Sequence, residues 1–447
     1  MHLLSTTTFE LRTGDQAYFR EQGYAILSHR WVGDEIDFKQ LQTVAAELRS
    51  GRTTASTPQI DKIRGACKVA RGSGFEWLWI DSCCIDKSNA VELDESIRSM
   101  FRWYGNARIC ITYLSDVDST GSWEHGVFDS TEREGPSLWF SRGWTLQELL
   151  APSELRFYNK HWDYIGTKHE HARVLAQITG IEAEYLVGAK NFRAACIATK
   201  MSWMAGRTTT RAEDIAYSML GVFDVHMNTR YGEGAEAFMR LQKELLTAPN
   251  LLVDESLFAW RMPDSNSGAK LLGPNQETNW EAGEWGLLAP SPEWFKHSGG
   301  VTLEQTPTIE RQPRSFDLTQ GSVVAWIPTA GGTKTEATLA GLSIVTFTTC
   351  FYYPLVHTKI RANRLAKDFG YPLKACMRDQ QGKLEPLRIW LRPAHNGFRR
   401  IRCTELAQGR SERGPRRGRV QEEKVLQPIL GNSDDGFVLV DDNDNNI

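Results

Sequence analysis

Three short stretches of this 447-residue chain gather residue types that can do chemistry. The densest is Ser137–Leu150, which ends at Ala151-Pro152 and carries Trp139, Phe140, Arg142, Trp144 and Glu148. Trp144 and Glu148 are four residues apart, hence on one face of a single helical turn. A carboxylate beside an indole is in a setting that raises its pKa or aims it at a ligand. The alternative is plainer: Trp144 belongs to the core and Glu148 caps or solvates a surface helix. The second stretch is Ser28-His29-Arg30-Trp31 and the third is Asp81-Ser82-Cys83-Cys84. Each follows a run of large apolar residues and stands where a buried strand would release into a loop.

Other chemistries lack their residues. The eight cysteines are dispersed without a CxxC pair, which fits reduced, mostly buried thiols better than a disulfide framework or a zinc site. His169-Glu-His171 lacks the spacing of a metalloprotease helix and reads as solvated surface. No metal site and no bound cofactor are expected. Gly232-Glu-Gly234 opens a helical pattern and could hold a phosphate on backbone N–H groups. No strand precedes it, so it reads instead as a turn that starts a helix. A net charge of −3 supplies no global basic field for nucleic acid. No apolar run is long enough for a membrane span, and the start of the chain does not read as a signal peptide, so a cytoplasmic protein is expected.

The elements that must position these residues follow from the apolar pattern. Gly23–Trp31, Phe75–Ile80, Arg108–Leu114 and Glu154–Tyr158 read as strands. Helices are expected over Phe38–Arg49, Gln59–Arg71, Glu92–Asn106 and from about Trp144. The β-α-β-α-β-α-β order argues for an α/β layer with a largely parallel sheet. Ligands of such sheets bind outside the carboxyl ends of the strands. Ser28–Trp31, Asp81–Cys84 and Ser115-Asp116 should therefore line one edge, with the Glu148 helix able to point into the same crevice.

Residues 1–165 are read as this α/β domain, 166–250 as a helical extension, 251–430 as a β-rich domain and 431–447 as an acidic tail. Strand character appears at Ser322–Pro328, Gly341–Thr348, Tyr352–Lys359 and Pro386–Leu391. Arg399–Arg419 holds eight arginines among Gly and Pro, and reads as a flexible solvated loop or as a polyanion or partner patch.

With these segments aligned, the chain resembles the fungal heterokaryon-incompatibility (HET) domain family. Tyr24-Ala-Ile-Leu-Ser-His-Arg-Trp31, Trp79-Ile-Asp-Ser-Cys-Cys-Ile-Asp86 and Ser141-Arg-Gly-Trp-Thr-Leu-Gln-Glu148 carry the likeness. Arg211–Asp224, Arg230–Gly234, Glu255–Trp260 and Gly286–Pro292 look like stretches that follow the domain in such proteins. His29 and Lys87 depart from the Tyr and Gln often found there. The resemblance implies a role in non-self recognition and programmed cell death after hyphal fusion, a form of fungal innate immunity. Its partners would be further copies of the chain or other HET or NLR-type proteins. Neither a GxxxxGK[ST] motif nor a forty-residue period is present, so a short, stand-alone version is expected.

HET domains are in turn similar to TIR domains, which implies a TIR-like, flavodoxin-like fold. The Glu of a Trp-x-x-x-Glu helix is catalytic in TIR members that cleave NAD. By that likeness Glu148 is the catalytic carboxylate for NAD as substrate, Trp144 and Trp31 are pocket walls, and Ser28, Arg30, Asp81, Ser82 and Cys83 shape the site. Arg30 is the expected partner of Glu148. The alternatives are a non-enzymatic HET/TIR-like interaction module, and a small-nucleotide-binding protein using the same crevice.

Overall fold

The computed structural model describes residues 1–50, 57–118, 126–248, 254–268, 271, 280–303, 316–319, 322–328, 368–379, 381–394, 397–408 and 420–424. The chain divides into two compact units. Of the described residues, the first comprises those of Met1–Ala195 and Gly206–Ala237, and the second those of Cys196–Ala205 and Phe238–Ser433.

The first unit is built on a seven-stranded sheet. Its strands and helices, in chain order, are β1 (His2–Ser5), β2 (Leu11–Thr13), α1 (Gln16–Gln22), β3 (Ala25–His29), α2 (Phe38–Ser50), α3 (Pro58–Gly72), β4 (Trp77–Trp79), α4 (Ala90–Asn106), β5 (Ile109–Tyr113), α5 (Thr145–Leu150), β6 (Leu155–Tyr158) and β7 (Tyr164–Thr167). The spatial order is β2-β1-β4-β3-β5-β6-β7. β4, β3, β5 and β6 are mutually parallel, and β1, β2 and β7 join as antiparallel edges. Numbered by chain order, the four parallel strands lie 2-1-3-4. The order therefore reverses between β3 and β5, which pair from Ala25↔Ile109 to His29↔Tyr113.

Local chemistry explains the elements. Every residue of β3 is buried, as a central parallel strand with both faces covered requires. The Thr57 hydroxyl accepts from the Ile60 amide, and Pro58 occupies the first turn, so α3 starts there. Asn89 caps α4 by accepting from the Val91 and Glu92 amides. The buried face of α4 includes Ile97, Met100, Phe101, Trp103 and Tyr104. Two hydroxyl bonds stitch that helix to β3 and the residue before it. Tyr24 donates to the Trp103 carbonyl at 2.6 Å, and Tyr104 donates to the Leu27 carbonyl at 2.9 Å.

Four expected strands are present, with β4 shorter than Phe75–Ile80 suggests. The sequence reading misses β1, β2 and β7. Each is three or four residues long; β1 is fixed by pairing with distant β4, as at Leu4↔Leu78, while β2 and β7 pair with their chain neighbours β1 and β6. His171 corrects the surface reading of the His169–His171 pair. It is buried, hydrogen-bonded to the Ile165 carbonyl at 3.2 Å and packed edge-on to Phe128. The remaining helices of the unit are short: α6 (Ala172–Thr179), α7 (Ala183–Leu186), α9 (Asp214–Tyr217) and α10 (Leu220–Phe223), with α8 (Ile197–Met204) and most of α11 (Glu236–Thr247) in the second unit.

The second unit is antiparallel in its described strands. These are β8 (Val301–Leu303), β9 (Phe316–Thr319), β10 (Ser322–Pro328), β11 (Phe369–Arg378), β12 (Leu384–Ala394), β13 (Gly397–Ile401), β14 (Ala407–Gln408) and β15 (Val420–Lys424). They form a sheet of order β13-β12-β11-β8, with β14 on β12, and a second sheet of order β15-β10-β9. The expected strands Gly341–Thr348 and Tyr352–Lys359, and the acidic tail, lie outside the described residues. So do residues 409–419 of the Arg-rich stretch.

The described arginines of that stretch correct the loop reading. Arg400 lies on β13, is buried, stacks 3.6 Å over Trp260 and donates to the Phe258 and Trp260 carbonyls. Arg399 pairs with Glu284 and Arg402 stacks over Trp390. Among the described residues no helix is long and apolar enough to cross a membrane.

Candidate functional site

The carboxyl ends of β3 and β5 meet at the point where strand order reverses, and Glu148 reaches that point from α5. Ser28, on β3, donates its hydroxyl to Glu148 Oε2 at 2.5 Å. The Trp139 indole, from the 3₁₀ turn Leu138–Ser141, donates to the same Ser28 oxygen at 2.8 Å. The Tyr104 hydroxyl also contacts Glu148. That hydroxyl has a single hydrogen, and it serves the Leu27 carbonyl.

Burial pushes the Glu148 carboxyl from the ordinary 4.5 up to about 8, and the Asp81 charge pushes in the same direction. The bonds from Ser28 and Tyr104 and the charge of Arg207 pull it back without offsetting the burial. Glu148 is 5% exposed, so the cost of removing a carboxylate from water dominates. At neutral pH this residue is mostly a neutral acid.

Asp81, in the turn after β4, has the opposite character. Burial would raise it, but His29 Nε2 bonds its Oδ1 at 2.9 Å and the Trp31 indole bonds its Oδ2 at 2.9 Å. His29 and the Lys87 charge complete a setting that holds Asp81 at about 2. Lys87 sits 3.8 Å over the exposed Trp31 ring and also donates to the Ser82 carbonyl. Ser82 and Cys83 are themselves buried, and a bond with Cys84, followed by burial, drives the Cys83 thiol well up.

The structure brings Ser28 to Glu148 and Trp31 to Asp81. It does not give Arg30 to Glu148, the partnership expected from the sequence. Arg30 bonds Glu132 at 2.7 Å, because the 126–137 loop lies against the end of β3 and presents a nearer carboxylate. That loop is tied down by Asp116, which accepts from Ser130, Ser137 and the Leu138 amide. Trp144 is the residue preceding α5, and its indole hydrogen-bonds Asp214. Asp214 in turn accepts from the Tyr231 hydroxyl at 3.0 Å.

Three contributors went unnoticed as site residues in the sequence. Trp139 is one aromatic among several in its stretch, and Tyr104 belongs to the buried face of α4. Arg207 stands 59 positions beyond Glu148 with no local pattern to mark it. The Gly232–Gly234 turn holds a carboxylate of the chain itself: Glu213 accepts from both glycine amides, at 2.7 and 3.1 Å. Among the described residues no cluster of His, Cys, Asp and Glu could hold a metal ion.

Gly143 shows why the segment before α5 needs glycine. A Cβ there would stand 2.5 Å from the Thr209 methyl, where residues 141–143 pair with residue 208.

Residues 24–136 match the family model described as heterokaryon incompatibility protein (HET). The matched span includes Ser28, Arg30, Trp31 and Asp81 and stops short of α5. The chain is 38% identical over 283 residues to the vegetative incompatibility protein HET-E-1 of Podospora anserina. That alignment covers 61% of this chain, which spans only 19% of the relative's length. No solved structure matches the chain.

Proposed function

We propose that this chain, whose residues 24–136 match the HET family model, acts in heterokaryon incompatibility, as an effector or signalling protein that promotes death of the fused cell. Copies of the chain or other HET or NLR-type proteins are its proposed partners. The domain's proposed chemistry is TIR-like cleavage of NAD at the Glu148 crevice. One observation carries this reading: Glu148 is bonded to Ser28 at the carboxyl end of β3, beside the β3–β5 reversal where sheets of this order bind ligands.

In the proposed step the C1′–N bond to nicotinamide breaks and its electron pair leaves with the pyridine nitrogen. Water adds to C1′ and gives up a proton. The intervening oxocarbenium-like centre is stabilised by a nearby carboxylate. Glu148 must therefore open to substrate and ionise before it can act, so the closed arrangement described above is a resting state.

The non-enzymatic module is favoured by a different observation. Glu148 is almost wholly buried and engaged by Ser28 and Tyr104, as a structural acid would be. Expression of wild type and Glu148→Ala in a fungal host separates the readings. Loss of viability together with loss of cellular NAD, both abolished by the substitution, supports catalysis. Toxicity that persists in Glu148→Ala, or that leaves NAD unchanged, favours the module.

A further inference from the structure

The helix bearing Glu148 is held at both ends by buried cations. At its carboxyl end Lys168 Nζ donates to the Leu149 and Pro152 carbonyls, at 3.0 and 2.7 Å. That is where a cation complements a helix dipole. At the amino end Arg207 Nη1 donates to the Arg142 carbonyl at 2.9 Å and to the Thr145 hydroxyl at 3.0 Å. Here a cation opposes the dipole, so helix stability alone does not account for it. Arg207 is also buried, which adds a desolvation cost. The acid in the first turn of α5 is Glu148.

We infer that Arg207 is the positioning residue of Glu148: it fixes the first turn of α5 and supplies the buried positive charge against which the carboxyl ionises. It reaches this place through a short pairing in which the Thr208 amide donates to the Ser141 carbonyl and the Gly143 amide to the Thr208 carbonyl. Burial lowers the Arg207 guanidinium to about 10, and the charge acting against that shift is Glu148. The groups that act on Glu148 are Ser28 on β3 and Tyr104 on α4 by hydrogen bond, and Asp81 after β4, Cys110 on β5, Arg142 before α5 and Arg207 by charge. Arg142 is shared with Asp214 and is only part-buried. The HET match ends at residue 136, so the working carboxyl and its counter-charge both come from beyond it.

This assignment rests on Glu148 being the working carboxyl, but its test does not depend on NAD cleavage. The ionisation of Glu148 is followed by infrared difference spectroscopy of the full chain, with Glu148→Gln identifying the band. Arg207→Met should raise the midpoint, by up to about one pH unit, a fall of at most about tenfold in the ionisation constant. Arg207→Lys, which keeps the charge, should leave it within a few tenths of a unit. Should Arg207→Met fail to fold, Arg207→Gln takes its place. An unmoved midpoint in a folded variant without the charge overturns the assignment. If no variant or wild type consumes NAD while the midpoint moves as expected, the catalytic reading falls and the Arg207 assignment stands.

Discussion

Two carboxyl groups at one edge of the sheet are driven in opposite directions. Glu148 is buried, accepts from a serine and touches a tyrosine, and is raised to about 8. Asp81 keeps 26% of its side chain exposed, is bonded by a histidine and an indole beside a lysine, and is lowered to about 2. Burial raises both; the difference lies in the partners. A hydroxyl offsets the desolvation of a carboxylate only in part, whereas charge-assisted bonds and a nearby ammonium exceed it. Such a split is how one site presents a neutral acid and a fixed negative charge at the same pH. It also links the two, because the Asp81 charge helps keep Glu148 protonated.

The largest expected effect separates them by pH. A carboxyl whose folded pKa is raised stabilises the fold below its unfolded value and loses that contribution as pH rises through the folded value. Glu148 should therefore lower stability between about pH 4.5 and 8, with a slope approaching ~1.4 kcal/mol per pH unit. Denaturant unfolding across that range should show the slope in wild type and its loss in Glu148→Gln. Asp81 runs the other way, its contribution present above the ordinary 3.8 and lost as pH falls toward 2.

Next in size is Asp81→Asn. It removes the charged acceptor of His29 and Trp31 and should cost about 1.5–3 kcal/mol at neutral pH. It should also lower the Glu148 midpoint, since one charge that raises it is gone. A midpoint unchanged in Asp81→Asn would mean that the two groups do not sense each other.

The smallest effect belongs to Arg30, once the expected partner of Glu148. Glu132 is 44% exposed at its side chain, so Glu132→Gln should cost about 0.2–1 kcal/mol. The Glu148 midpoint should stay where it is, and salt should abolish what cost there is.

How much of this was visible beforehand depends on whether the cause was local. The runs Tyr24–Leu27 and Ile109–Tyr113 announce themselves because central parallel strands are apolar along their whole length. Glu148 stands out through its aromatic and leucine neighbours, and the same neighbours impose the burial that raises it. What was hidden is non-local. β1 and β2 are recognisable only through pairing with β4 and each other, since three or four residues carry no period. Arg30 could not be assigned without knowing that the 126–137 loop returns to β3. Arg207 arrives from a later segment through two backbone bonds to residues 141–143, and nothing in Gly206–Thr210 signals it.

The most direct measurement is the ionisation midpoint of Glu148 in the intact chain, read from its carboxyl band against Glu148→Gln. A midpoint near 8 is the expected result. A midpoint near the ordinary 4.5 would contradict the buried, neutral carboxyl on which the comparison with Asp81 depends.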